Sequence, residues 1–92
     1  MSDHTVKITV SGLVQMVGYR WFAKQQAELL GIRGYVRNCT QGEVEIVAQG
    51  KPADLEIFLH QIKTGPSRSR VSRIRREVLE GETRYDAFQI RG

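Results

Sequence analysis

The sequence is poor in the residues that tie small chains together. It has one cysteine, Cys39. An intramolecular disulfide is therefore impossible, and no cysteine-based metal site can be built from this chain alone. That agrees with a reducing compartment. Its two histidines, His4 and His60, have no metal-ligand spacing to another His, Cys or acid cluster. No apolar run approaches the ~18 residues of a membrane span. The opening "MSDHTVKITV" carries an acid at position 3 and no apolar signal core, so a cytoplasmic location is expected. Repeats, low-complexity segments and linkers are missing as well.

What is there is ordinary for a small globular protein. With 92 residues, 40% hydrophobic and 26% charged, the chain is expected to form one domain, 1–92, around one modest core. Fourteen Lys and Arg against ten Asp and Glu give a net charge of +4. The excess is mild. It favours anionic partners without choosing between small phosphates and a nucleic-acid backbone.

Hydrophobic periodicity divides the chain into seven elements. Residues 5–11, "TVKITVS", alternate with Val6, Ile8 and Val10 on one face, the pattern of a half-buried strand. From Trp21 the period becomes helical, with Phe22, Ala23, Gln26, Leu29 and Leu30 on one stripe and Gly31 as a stop. Residues 34–39 and 43–48 read as two strands of a hairpin joined by "TQG". Val44 and Ile46 share one face of the second, Glu43 and Glu45 the other. Pro52 opens a second helix, where its missing N–H costs nothing, and Leu55, Phe58, Leu59 and Ile62 form its apolar stripe. "GPS" at 65–67 breaks that helix. Residues 71–79 read as a strand with Ser72, Ile74, Arg76 and Val78 on one face. "GET" at 81–83 makes a turn, and Phe88 and Ile90 mark a short last strand.

Two helices with one apolar side each need a sheet to cover. The order strand, helix, strand, strand, helix, strand matches the split β-α-β motif. The expected fold is therefore an α+β, two-layer ferredoxin-like sandwich, βαββαβ plus a short C-terminal strand, with two helices covering an antiparallel sheet. Such a fold hosts many functions and decides none of them.

The junction between the first strand and first helix, "QMVGYR" at 15–20, carries more chemistry. Backbone N–H groups at a helix start lack intrahelical partners and, with the helix dipole, attract anions. Gly18 can adopt backbone angles that curl successive N–H groups around one oxyanion. Arg20 adds a planar fork of donors suited to a phosphate or carboxylate. Alternatively, Arg20 is one more solvated arginine after an ordinary glycine turn, because short motifs are weakly specific.

Residues 12–20, "GLVQMVGYR", resemble the acylphosphatase signature G-x-V-Q-G-V-x-[FY]-R. Residues 34–50, "GYVRNCTQGEVEIVAQG", are similar to that family's second signature, matching at Gly34, Tyr35, Val36, Arg37, Asn38, Gly42, Val44 and Gly50. "GPSRSRV" at 65–71 and "FQI" at 88–90 are similar too, so the likeness spans nearly the whole chain. The resemblance implies a hydrolase, independent of metal and cofactor, that cleaves acyl phosphates into a carboxylate and inorganic phosphate by water attack, without a phosphoenzyme. It implies that Gln15, Met16, Val17, Gly18, Tyr19 and Arg20 bind the phosphoryl group, and that Arg20 and Asn38 are catalytic, Asn38 orienting the water. An Asn side chain has no useful pKa; it can position a water but cannot act as its base. One residue departs from the signature: Met16 stands where the family has glycine. A positive φ there would cost a methionine roughly 1–3 kcal/mol.

Other residues carry plainer expectations. Cys39 is expected to pack as a small hydrophobe. His4 belongs to the terminal tail, and His60 lies opposite the apolar stripe of its helix. Glu43 and Glu45 suggest a solvated strand face. Tyr19 is placed to help close the phosphate loop, and Trp21 at the helix edge.

Two further functional classes stay in view. A phosphate-binding module that has lost catalysis would account for Met16. An RNA-binding ferredoxin-like domain would use Arg68, Arg70, Arg73, Arg75 and Arg76 on phosphates. However, "EVEIVAQ" has no aromatic residue to stack bases, so nucleic acid is not the expected partner. A charged edge strand explains the arginines more simply. The expectation is a monomer acting on small acyl phosphates, with no membrane partner.

Overall fold

The computed structural model describes residues 3–81 and 83–92. Along the chain come β1 (His4–Leu13), α1 (Tyr19–Leu29), β2 (Arg33–Asn38), β3 (Val44–Gly50), α2 (Pro52–Thr64), β4 (Arg70–Leu79) and β5 (Phe88–Ile90). The strands form one five-stranded sheet in the order β4-β1-β3-β2-β5. Pairings β4–β1, β1–β3 and β3–β2 are antiparallel. β5 instead lies parallel to β2, pairing Gly34 with Phe88 and Val36 with Ile90, so the sheet is mixed rather than antiparallel throughout. Both helices supply apolar residues to a core that includes Ile8, Val10, Val36, Val44, Ile46, Phe58 and Ile62. The result is the α+β two-layer sandwich expected from the element order. No helix among the described residues is long and apolar enough to cross a membrane.

Three local expectations need correction. The buried stripe of α1 is Tyr19, Ala23 and Ala27, whereas Leu29 is 79% exposed. The helix begins two residues before the periodic run suggested, and small alanines at i, i+4 spacing bring it close to the sheet. His4 is the first residue of β1, paired with Gly50, rather than part of a tail. Every residue of β3 is buried, including those facing away from the helices. The turn expected at 81–83 includes Glu82, which lies outside the described residues.

The second face of β3 is closed by polar side chains and by the segment before β5. Gln49 Nε2 donates to Thr5 Oγ1 and to the Thr83 carbonyl, and Gln49 Oε1 accepts from the Tyr85 amide. Glu45, expected on a solvated face, is only 8% exposed. Arg37 forks onto it at 3.0 and 3.2 Å, the Tyr35 hydroxyl donates to it at 3.1 Å, and Lys7 stands 3.6 Å away. Arg91 stacks 4.2 Å over the Tyr35 ring. A carboxylate can be buried when its acceptor sites are filled in this way. Glu43 is engaged separately, by the Ser11 hydroxyl and Arg75.

Candidate active site

The sheet brings the two motifs to one end. β1 runs out at Leu13, paired with Arg70, after a bulge between Ser11 and Gly12. A Cβ on Gly12 would stand 2.1 Å from the Arg70 carbonyl oxygen, so only glycine fits where the strand bends into the loop. Gln15 then anchors the loop: its Nε2 donates to the carbonyls of Cys39 at 2.8 Å and Glu43 at 2.9 Å. Those carbonyls belong to the hairpin turn directly after Asn38, so one side chain ties the loop to the end of β2. Val17 turns inward against the core, and Val14 is fully buried.

The loop backbone is left-handed at two positions. Met16 has φ 63 and Gly18 has φ 78, ψ 17 at the N-cap of α1. Met16 is the one non-glycine residue with positive φ among the described residues, and it is 98% exposed. The strain expected of a methionine at this position is therefore present, on the order of 1–2 kcal/mol. Gly18 supplies the second left-handed residue at no such cost.

This geometry leaves a row of donors uncommitted. The first backbone N–H of α1 with an intramolecular acceptor is that of Phe22, bonded to the Gly18 carbonyl at 3.0 Å. Among the described residues, no acceptor engages any backbone N–H from Met16 through Trp21. Alternating left-handed residues ahead of a helix N-terminus form the kind of concavity that holds an oxyanion. Arg20 follows, half-buried and, among the described residues, without ion pair or side-chain hydrogen bond. Arg20, Met16, Gly18 and Tyr19 line one depression of about 210 Å³ with Val14, Trp21 and Ile90.

Gln15, Val17 and Asn38 are not among its walls. Asn38 stands at the end of β2, paired with Val44, and its backbone N–H donates to the Gly92 carbonyl. Its Oδ1 is the one buried side-chain polar atom without a hydrogen-bond partner among the described residues. An unpaired buried acceptor costs about 1–3 kcal/mol, which a bound donor would recover.

Tyr19 does not close the loop with its ring. The ring is buried, 1% exposed, and its hydroxyl donates to the Ile62 carbonyl at 2.7 Å. Ile62 lies in the last turn of α2, whose carbonyls lack helical partners. Tyr19 therefore caps α2 while its backbone starts α1, locking the second helix to the loop. Burial pushes the Tyr19 phenol well above the ordinary tyrosine value. Cys39 sits at the turn, with its backbone bonded to Glu43 and Gly42. The residue is half-buried. Sequence reading missed the anchoring by Gln15 and the cap by Tyr19. Both partners are backbone carbonyls far along the chain, and no side-chain pattern marks them.

Amides and an arginine without partners among the described residues, at a helix start on a ferredoxin-like sandwich, make an α+β protein with an arrangement suited to an anion. Comparison with known proteins narrows this. The acylphosphatase family profile matches residues 6–90. The chain is 40% identical over 90 residues to an acylphosphatase of Chlorobaculum tepidum, covering 98% of each chain. It is 49% identical over 73 residues to one of Thermus thermophilus, covering 79% of this chain and 81% of that protein. The crystal structure of acylphosphatase from Bacillus subtilis superposes with a TM-score of 0.94 at 31% identity, covering 97% of this chain and 99% of that one. The chain belongs to the acylphosphatase family.

Proposed function

We propose that this chain, as an acylphosphatase, hydrolyses the carboxyl–phosphate bond of acyl phosphates to a carboxylate and inorganic phosphate. The observation that carries the mechanism is the row of amides from Met16 to Trp21 that, like the neighbouring Arg20 side chain, have no partner among the described residues. These donors take the non-bridging oxygens of the phosphoryl group. Charge on those oxygens is redistributed as the bond to the acyl oxygen loosens, and pre-oriented donors stabilise it without reorganising. The Arg20 guanidinium contributes a full charge and a two-point fork.

The nucleophile is water. Its oxygen bonds to phosphorus as the bond from phosphorus to the acyl oxygen breaks, and the electron pair leaves with the carboxylate. The unpaired Asn38 Oδ1 supports a role in accepting a hydrogen bond from the water and so orienting the attack. Asn38 is no base, so the proton passes to a phosphate oxygen of the substrate. Because a carboxylate is a good leaving group, positioning and charge stabilisation suffice. No covalent phosphoenzyme forms. We further propose that residues 1–92 form one domain that acts in the cytoplasm as a monomer.

The test is hydrolysis of benzoyl phosphate with chelator present, for the wild type, Arg20→Ala and Asn38→Ala. Turnover that collapses in both variants is expected. A wild type that binds inorganic phosphate through Arg20 but does not turn over would make this a binding module instead. Met16, strained and standing where the family has glycine, is the observation that keeps that second reading.

A further inference from the structure

The depression around Arg20 has an apolar wall for which a phosphoryl group has no use. Met16 from the loop, Trp21 from α1 and Ile90 from β5 line it, 98%, 58% and 40% exposed. Scattered exposed apolar residues need no explanation. Here three, drawn from separate elements, gather beside an arginine that has no ion pair among the described residues.

Met16 adds a second observation. It holds a left-handed backbone at φ 63 where glycine would be unstrained, and its side chain is left almost wholly in water. Neither packing nor backbone geometry accounts for a methionine there. A methionine thioether is flexible and polarisable, fitted to cover an irregular apolar group. A tryptophan offers a flat face to a ring.

The acyl group is bonded to the phosphoryl group through one oxygen, so a phosphoryl group seated on the loop amides puts the acyl group within reach of these side chains. We infer that Met16, Trp21 and Ile90 form the acyl-group subsite, and that it selects small apolar acyl groups, aromatic ones above all, over acyl groups that carry a charge. The inference rests on the proposed function. The depression, about 210 Å³, is smaller than the ~300 Å³ at which pockets for drug-sized ligands begin, so a single ring is the right scale. Charge nearby sets up the opposite outcome. Arg70 pairs with Leu13, at the entrance to the loop, and Arg68 is close along the chain. If these arginines governed the acyl group, an anionic one would be preferred.

The experiment compares kcat/KM for benzoyl, acetyl and succinyl phosphate in the wild type, Met16→Asn and Met16→Asn/Trp21→Ala. Asparagine tolerates a left-handed backbone, so the first variant removes the thioether while sparing the loop. The wild type is expected to favour benzoyl over acetyl phosphate about tenfold, chiefly in KM, and to handle succinyl phosphate worst. Met16→Asn should cut the benzoyl-to-acetyl ratio roughly threefold, and the double variant should bring it near one. Ratios that stay unchanged in both variants would overturn the subsite. So would succinyl phosphate proving the best wild-type substrate, which would hand the acyl group to Arg68 and Arg70. Failure of the wild type to hydrolyse any of the three would instead overturn the proposed function, which a changed ratio cannot do.

Discussion

Two arginines, Arg37 and Arg20, stand in opposite circumstances. Arg37 lies on the sheet face away from the helices, where it and the Tyr35 hydroxyl donate hydrogen bonds to Glu45 and Lys7 adds an ion pair. Arg20 lies at the head of α1, beside amides without acceptors and, among the described residues, without an ion pair. Both regions concentrate polar groups that are expensive to leave unpaired. The first has settled its requirements internally, so it stabilises the fold. The second has not: among the described residues its amides have no protein acceptor, and they stay open to water or to a ligand. The contrast separates a charged cluster that is paired within the sheet from one whose donors stay open, as the proposed catalytic role requires.

The largest expected effect tests that separation directly. Arg20→Ala should lower kcat/KM for benzoyl phosphate about 10³-fold, the scale seen when a donor to a developing charge is removed, with the melting temperature nearly unchanged. Asn38→Ala should lower it about 10²-fold, since the loss is of positioning alone. Arg37→Ala should reverse the pattern, lowering the melting temperature with little change in turnover. A large loss of turnover in Arg37→Ala with an intact fold would break the comparison.

Glu45 sharpens it from the stability side. Burial pushes its carboxyl up, but hydrogen bonds from Arg37 and Tyr35 and the charges of Arg37 and Lys7 outweigh burial and leave it below the ordinary value of 4.5. A carboxyl whose pKa is lowered in the fold contributes stability that is complete above its unfolded value and is lost as pH falls through the folded one. Glu45→Ala should therefore cost about 1–3 kcal/mol at pH 7, or roughly 4–20 °C in melting temperature. The gap from the wild type should narrow on acidification below about pH 4.5. A gap that stays constant down to pH 3 would mean that the ionised carboxylate is not what matters.

The same contrast governs what could be read from the sequence. The element order and the helical stripe of α2 are local periodicities, and they were legible; in β4 the bulge opposite Ser11 and Gly12 breaks the expected alternation and puts Val71, not Ser72, against the core with Ile74. The candidate site shows in the sequence as a motif because its residues are near one another in the chain, from Gln15 to Arg20 with Asn38 in a second signature. The satisfied cluster does not. Glu45 looks like any solvated strand residue until β2 and β3 pair Arg37 with it and the segment leading to β5 covers Gln49. The parallel pairing of β5 with β2 is likewise a long-range choice that three residues of alternation cannot encode. The stripe of α1 was misplaced because its core residues are two alanines and a tyrosine at the helix start, while the larger leucine at 29 faces water.

Tyr19 joins the two regimes: its backbone opens α1 behind the loop while its hydroxyl satisfies Ile62 in α2. Tyr19→Phe keeps the ring and leaves that buried carbonyl unpaired, which should cost about 1–2 kcal/mol. Turnover should fall by much less than in Arg20→Ala, because the loop amides keep their positions. Urea unfolding and benzoyl phosphate kinetics on the same protein would check both. A fall in turnover comparable to that of Arg20→Ala, with stability unchanged, would move the phenol into the site.

The smallest expected effect concerns Met16. Met16→Gly releases a left-handed strain of about 1–2 kcal/mol but gives the unfolded chain back roughly 0.5–1 kcal/mol of glycine freedom. The methionine side chain, 98% exposed, has almost no packing to lose. The balance favours the variant, by about 0.5 kcal/mol, read as a small rise in the urea midpoint at unchanged slope. A stabilised variant that also discriminates less between benzoyl and acetyl phosphate would show that the strain is retained for the substrate. A destabilised one would place Met16 with Glu45, among the residues that hold the structure together.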